Sequence, residues 1–289
     1  MTTYRISEMT RQHAKHDMID LHTELPPLAE PRTRMLFAFL NEQGSSKSYS
    51  ELYTLVVSLV QLGMDTHDLI DTETERRSER DMRSRQLKVL AGDFFSAKFY
   101  QLLADAGQIE MISRISNAVC EVNRMKVNLY TRMRSLRLSA EDYFGYAVQL
   151  RSEMFQQFAG IMDGARSRVW PELLHGVGRC EVALDELERS GHEDKFEKGW
   201  AYWHVMQVGS EEEKQRLMYE KPDKGFILSL LHKYDIRAHL TAKVKQAADS
   251  VKAAAAKLES DKLERELTDI ADSMLARLAG SMPALNETR

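Results

Sequence analysis

Between Pro31 and Pro171 the sequence has no proline. Proline lacks a backbone donor and ends or kinks a helix, so its absence leaves this stretch free to form long helices with short connections. Strand signals are missing too. No run alternates apolar and polar residues with period two, and no Asn-Gly or Asp-Gly joins two β-branched runs, which argues against hairpins. Cysteine is scarce: Cys120 and Cys180 are far apart and fit no metal spacing, and two reduced core thiols of a cytosolic protein are expected. Apolar runs reach only about ten residues, too short for a membrane-spanning helix. The opening residues, MTTYRISEMTRQHAKHDM, hold no apolar signal core, so the expected location is the cytoplasm. A surplus of one charge sign is also lacking. The 40 Lys and Arg against 44 Asp and Glu leave a net charge of −4, with no footprint for nucleic acid. There is no nucleophile elbow, phosphate-binding loop or zinc pair, which removes several common enzyme classes.

What is present is helical rhythm. Hydrophobic residues make up 43% of the chain and charged residues 29%, enough apolar mass for a core. Apolar positions recur at helical spacing in Leu52, Val56, Leu59 and Leu62, and again in Leu87, Leu90, Phe94, Ala97 and Tyr100–Leu103. Met111, Ile115, Val119, Val122 and Met125 form a third series. The fold class is therefore all-α. Ser139-Ala-Glu-Asp142 and Ser210-Glu-Glu-Glu213 read as helix caps, Gly107 and Gly191 as helix stops, and Pro222 to Gly225 as a turn. Residues 235–280 carry a narrow apolar stripe that slips near Glu259–Lys262, which suits a peripheral helix or helical pair. The cluster from Gly199 to Trp203 reads as a core anchor. One helical domain is expected over 1–289, changing character near 166–171, where RSRVWPELL interrupts a helix.

The sequence QLGMDTHDLIDTETERR extends a strongly apolar segment into three aspartates, Asp65, Asp68 and Asp71. Spaced by three, they share one helix face. They repel one another and meet the negative end of the helix dipole, so positive charge is required nearby. Two sources remain open: Arg76, Arg77 and Arg80 folding back from the helix end, or a hard divalent cation such as Mg2+, which takes carboxylate oxygens and keeps water or phosphate as its other ligands. Asp65 and Asp68 are the metal candidates. His67 falls on a different face and reads as a packing or hydrogen-bonding residue. Downstream, FFSAKFYQLL contains Phe94, Phe95 and Phe99, either core packing or the wall of a tunnel for an apolar chain.

Taken together, the buried helix, MDTHDLID, the Arg76-Arg77 pair and Ala91-Gly92-Asp93-Phe94 resemble the first half of a trans-isoprenyl diphosphate synthase. That resemblance implies an isoprenoid-synthase-like helical bundle. Departures accompany it. The family's first motif has two adjacent aspartates and a third three residues on, and here Asp68 is followed by Leu69. A second Asp-Asp-x-x-Asp motif is missing; the nearest acid clusters are Asp185-Glu-Leu-Glu188 and Asp269-Ile-Ala-Asp272. The family's Gly-Gly-Lys-Arg-x-Arg-Pro element finds its counterpart in residues 29–35, which keep Arg32 and Arg34 as candidate diphosphate contacts beside Arg76 and Arg77.

LGMDTHDLID, RQLKVLAGDFFSAKFYQLLA and EVNRMKVNLY are similar to the small subunits, component I, of bacterial heterodimeric heptaprenyl diphosphate synthases. The likeness is best over 30–165 and loose over the helical remainder, 166–289, with its peripheral C-terminal segment. It implies a non-catalytic subunit, inactive alone, paired with a catalytic component II. The complex would add isopentenyl diphosphate units to farnesyl diphosphate for the menaquinone side chain, a membrane-destined product, with Mg2+ held mostly by the partner. The small subunit would help bind the allylic substrate and set product length, and helices over 86–104 and 109–134 would meet the partner. A stand-alone Mg-dependent terpene-forming enzyme and a helical adaptor without prenyl chemistry are the rival expectations.

Overall fold

The structure, a computed structural model, describes residues 3–44, 46–70, 78–220 and 222–280. Among the described residues there are α-helices, two short 3-10 turns and no strand, in line with the all-α expectation. No helix there is long and apolar enough to cross a membrane. The chain divides into two compact units, Met1–Val119 with Gln157–Asp163, and Cys120–Gln156 with Gly164–Arg289.

The first unit contains α1 (Ile6–Ala14), α2 (Asp17–His22), α3 (Glu30–Glu42), α4 (Ser50–Asp68), α5 (Glu79–Asp105) and the start of α6 (Ile109–Arg134). Every residue of α4 from Tyr53 to Met64 is buried, as an all-round apolar helix demands; α5, α3 and α1 pack around it. Its few hydroxyls are satisfied locally. Thr54 and Thr66 each donate to the carbonyl four residues back, Ser50 and Leu62, at 2.6 Å, and Thr10 of α1 donates to Ser58 at 3.1 Å.

On α5 the packed stripe is Ala91, Phe95, Phe99 and Leu103, while Leu90 is 61% exposed and Tyr100 47% exposed. Of the face expected from Leu87, Leu90, Phe94, Ala97 and Tyr100–Leu103, Leu103 lies on this stripe, while Leu90, Phe94 and Tyr100 sit one residue from it. The reason is close approach. A Cβ on Gly63 of α4 would stand 3.0 Å from the Gly92 carbonyl oxygen and 3.1 Å from Ser96 Oγ, so small residues define where α4 and α5 meet.

The second unit adds α7 (Ala140–Gln156), α8 (Gly164–Ser190), α9 (Glu193–Phe196), α10 (Trp200–Val208), α11 (Glu211–Tyr219), α12 (Lys224–Lys233), α13 (Ile236–Ala255) and α14 (Asp261–Gly280). Three expectations are corrected here. RSRVWPELL does not interrupt a helix: α8 runs through Pro171. Pro171 sits inside α8, two turns from its start, and its neighbour Trp170, fully buried, donates Nε1–H to the Phe155 carbonyl at 3.2 Å. The 235–280 stretch is a helical pair, but α13 is not peripheral. It packs along α8 with Val244, Ala247, Ala248 and Val251 buried. Pro222 to Gly225 is an N-cap rather than a free turn, with Asp223 accepting from Phe226 N at 2.9 Å.

Trp200 and Trp203 are buried as anchors. Cys180 is buried and burial pushes its thiol up to about 12, whereas Cys120 is exposed on α6, contrary to the expected core thiol. Its neighbour Val122, rather than Cys120, continues the buried stripe.

The Ser139 and Ser210 caps are both formed. Ser139 Oγ accepts from Asp142 N at 2.9 Å, and Ser210 and Glu213 make a reciprocal capping box. Burial alone would raise the Glu213 carboxyl. Hydrogen bonds from Lys233 (2.7 Å), Tyr234 (2.6 Å) and Ser210 N (2.8 Å) outweigh it and hold the group down to about 2. A depressed carboxyl contributes stability that is complete above its unfolded value and lost as pH falls through the folded one. Glu213→Gln is therefore expected to be about 1–2 kcal/mol less stable than the parent at pH 7. The difference should close as pH falls from the ordinary 4.5 towards 2, as urea titrations at stepped pH would show.

Candidate diphosphate site

The acidic row begins where α4 leaves the core. Asp65 is half-buried and accepts from Gln61 Nε2 at 2.7 Å; Asp68, the last residue of α4, is exposed. Asp71, Arg76 and Arg77 lie outside the described residues. One positive group required by the helix end comes from α5 instead: Lys88 Nζ donates to the Leu69 carbonyl at 3.4 Å, where the helix dipole favours a cation. Sequence reasoning missed Lys88 because helical rhythm does not say which charges face a neighbouring helix end.

His67 is a packing residue, as its separate face suggests. It lies over Gly92, where a Cβ would come within 2.4 Å of its Nε2, and that nitrogen stands 3.5 Å from Asp93 Oδ1. Two residues of the Ala91-Gly92-Asp93-Phe94 element thereby acquire roles: Gly92 admits the imidazole and Asp93 faces it. The spacing back from Asp71 carried a signal for this. A third aspartate three residues after an adjacent pair places that pair at His67 and Asp68, so His67 stands where the first aspartate is expected. An aspartate there would meet Asp93 with like charge.

Arg32 is buried on α3, and Arg34, half-buried, lies beside Tyr4. Burial pushes the Tyr4 phenol up, Ser7 and Arg34 pull it down, and Glu30 adds to the rise. Phe95 and Phe99 are fully packed, at 0% and 2% exposure, and Phe94 is half-buried against Phe95 and edge-on to His16. Ala14, Ile19, Leu62, Ala91 and Phe95 form one cluster, with Leu25, Leu28 and Phe94 packed on it.

In the second unit, three of the acids nearest to a second aspartate motif are engaged by protein groups, while Glu188 and Asp269 are exposed. Asp185 pairs with Arg151. Glu186 is buried and accepts from Tyr143 Oη at 2.8 Å and from Trp200 N at 2.7 Å. Asp272 pairs with Lys252 at 2.6 Å. Among the described residues no three His, Cys, Asp or Glu side chains stand where they could share a metal ion. Asp65 and Asp68 alone do not make a cage for a resident cation, which needs more ligands than two carboxylates unless water and phosphate complete the shell.

The architecture is that of the isoprenyl diphosphate synthases. The heptaprenyl diphosphate synthase of Staphylococcus aureus superposes with a TM-score of 0.65 at 12% identity, covering 94% of this chain and 96% of that one. The polyprenyl synthase of Caulobacter crescentus CB15, solved with calcium and isoprenyl diphosphate, gives 0.69 at 17% identity, covering 94% and 93%. The sequence narrows this further. The family model for heptaprenyl diphosphate synthase (HEPPP synthase) subunit 1 matches residues 16–175, more than half of the 289 residues, and the chain belongs to that family. Heptaprenyl diphosphate synthase component 1 of Geobacillus stearothermophilus is 36% identical over 93 residues, which is 32% of this chain and 40% of that protein's length.

Proposed function

We propose that this chain is the non-catalytic subunit of a heterodimeric heptaprenyl diphosphate synthase. In this reading it helps bind farnesyl diphosphate and sets product length while a catalytic component II adds isopentenyl diphosphate units. The observation that carries it is the engagement of Asp185 by Arg151 and of Glu186 by Tyr143 and Trp200.

Ionising an allylic diphosphate leaves a carbocation and requires the departing charge to be neutralised by clustered cations. Divalent ions such as Mg2+ supply that neutralisation when bound. A chain in which Asp185 and Glu186 are taken by its own arginine, phenol and amide groups offers only one side of such a clamp. Asp65 and Asp68 would then face a diphosphate whose Mg2+ is held chiefly by the partner. Exposed apolar residues on α5 and α6 support a partner-facing role for these helices: Leu90 and Tyr100 on the first, Val127 (64% exposed) and Tyr130 (61%) on the second. A heptaprenyl product, its use as the menaquinone side chain and action in the cytoplasm belong to the same proposal, supported by membership of the family.

Reconstitution tests this. The chain alone, with Mg2+, farnesyl diphosphate and isopentenyl diphosphate, is expected to form no prenyl product. Mixed with its catalytic partner it should raise turnover and lengthen the product towards the heptaprenyl chain. Product from the chain alone would support a stand-alone enzyme, and unchanged rate and length on mixing would refute the subunit reading.

A further inference from the structure

We infer that a cavity between α1, residues 25–28 and α4 is a binding site for the isoprenoid chain of a prenyl diphosphate, with Arg11 and Lys15 at its edge to meet the diphosphate. The inference rests on the proposed function and adds a location that the family motifs do not mark. The cavity measures about 550 Å3, within the roughly 300–1,000 Å3 common for small-molecule sites.

Its position follows from how α1 lies on α4. Thr10 meets Ser58 at one level, and Ala14 clusters with Leu62 a turn further along. Leu62 lines the cavity. Asp65 follows Leu62 by three residues, on the same helix face and about 4.5 Å further along the axis. An apolar space therefore begins one helical turn from the acidic row.

The lining suits the ligand. Leu25, Pro26, Pro27 and Leu28 form an apolar wall with few polar groups to desolvate. Arg11 and Lys15 are exposed and four residues apart, so they project from neighbouring turns. Neither has an ion-pair partner among the described residues. Two acids also line the cavity, Glu8, which accepts from Gln12 at 3.3 Å, and Asp20. By contrast, the close-packed Phe95 and Phe99 stand in solid core.

Calorimetric titration of the full chain, in Mg2+, with farnesyl diphosphate, farnesol and inorganic diphosphate tests the site. Farnesyl diphosphate should bind at least about tenfold more tightly than either fragment. Leu28→Trp, which fills the cavity, should weaken farnesyl diphosphate and farnesol alike by about tenfold or more. The double variant Arg11→Glu/Lys15→Glu changes only exposed side chains and should weaken farnesyl diphosphate about tenfold while leaving farnesol unchanged. Wild-type affinity for farnesyl diphosphate in the double variant overturns the inference, whether or not Leu28→Trp folds. The parent reading is scored separately by mixing with the catalytic partner. If mixing stimulates elongation and the variants bind as the parent does, the cavity alone is rejected. If mixing has no effect, the subunit reading fails, and loss of binding in the double variant still upholds the cavity.

Discussion

Glu186→Ala is expected to lower the free energy of unfolding by about 2–4 kcal/mol. Two buried donors would lose their acceptor together: the Tyr143 hydroxyl and the backbone N–H of Trp200. The second is the first amide of α10, which has no partner within its own helix. Glu186→Gln keeps one carbonyl oxygen for the Trp200 amide, and its NH2 can donate to the Tyr143 hydroxyl oxygen in place of the acceptor that is lost, so it should cost no more than about 1–2 kcal/mol. Burial raises the Glu186 carboxyl, against the pull of Arg189, the Trp200 amide and Tyr143. An acid raised on folding binds its proton more readily in the folded state. The parent should therefore lose stability relative to the Gln variant as pH rises from the unfolded value through the folded one, and be flat beyond it. Urea denaturation of the three proteins across pH reads both effects. An alanine variant as stable as the parent would show that Glu186 is not the acceptor that closes this corner, and would remove the observation on which the non-catalytic reading stands.

Gly63→Val should cost about 2–3 kcal/mol. The new Cβ would press on the Gly92 carbonyl oxygen at 3.0 Å and on Ser96 Oγ at 3.1 Å, and the backbone carbonyl cannot step aside as a side-chain tip can. Gly63→Ala should be milder, because alanine's helix preference returns about 1 kcal/mol. Gly145 on α7 supplies the contrast. A Cβ there meets nothing within 4 Å, so Gly145→Ala should stabilise by about 0.5–1 kcal/mol. Thermal midpoints of the three variants separate close packing from helix propensity. Since α5 carries Asp93 and Lys88 to the end of α4, Gly63→Val should also reduce stimulation of the catalytic partner by more than its loss of stability accounts for. Equal stimulation per folded molecule would uncouple the row from this helix crossing.

Much of this architecture was legible in the residues. The proline-free stretch, the helical rhythm, the Ser139 and Ser210 caps and the all-round apolar α4 are local properties, set by backbone geometry and side-chain chemistry within a few residues. The order of the acidic row, the arginine pair and Ala91-Gly92-Asp93-Phe94 is likewise written along the chain, and it pointed to the family. Contacts between helices are not local. Which side of α5 packs depended on Gly63 and Gly92 approaching each other, and a stripe of large apolar residues misplaces such a face by one position. The course of α8 through Pro171, the inward place of α13 and the exposure of Cys120 depended on partners distant in sequence. For the acids the same holds. Sequence alone determined that a second aspartate motif is missing, whereas only the tertiary structure decided that Asp185 and Glu186 are taken by Arg151, Tyr143 and Trp200. A carboxylate's role is set by what it faces, and what it faces is fixed when the helices pack.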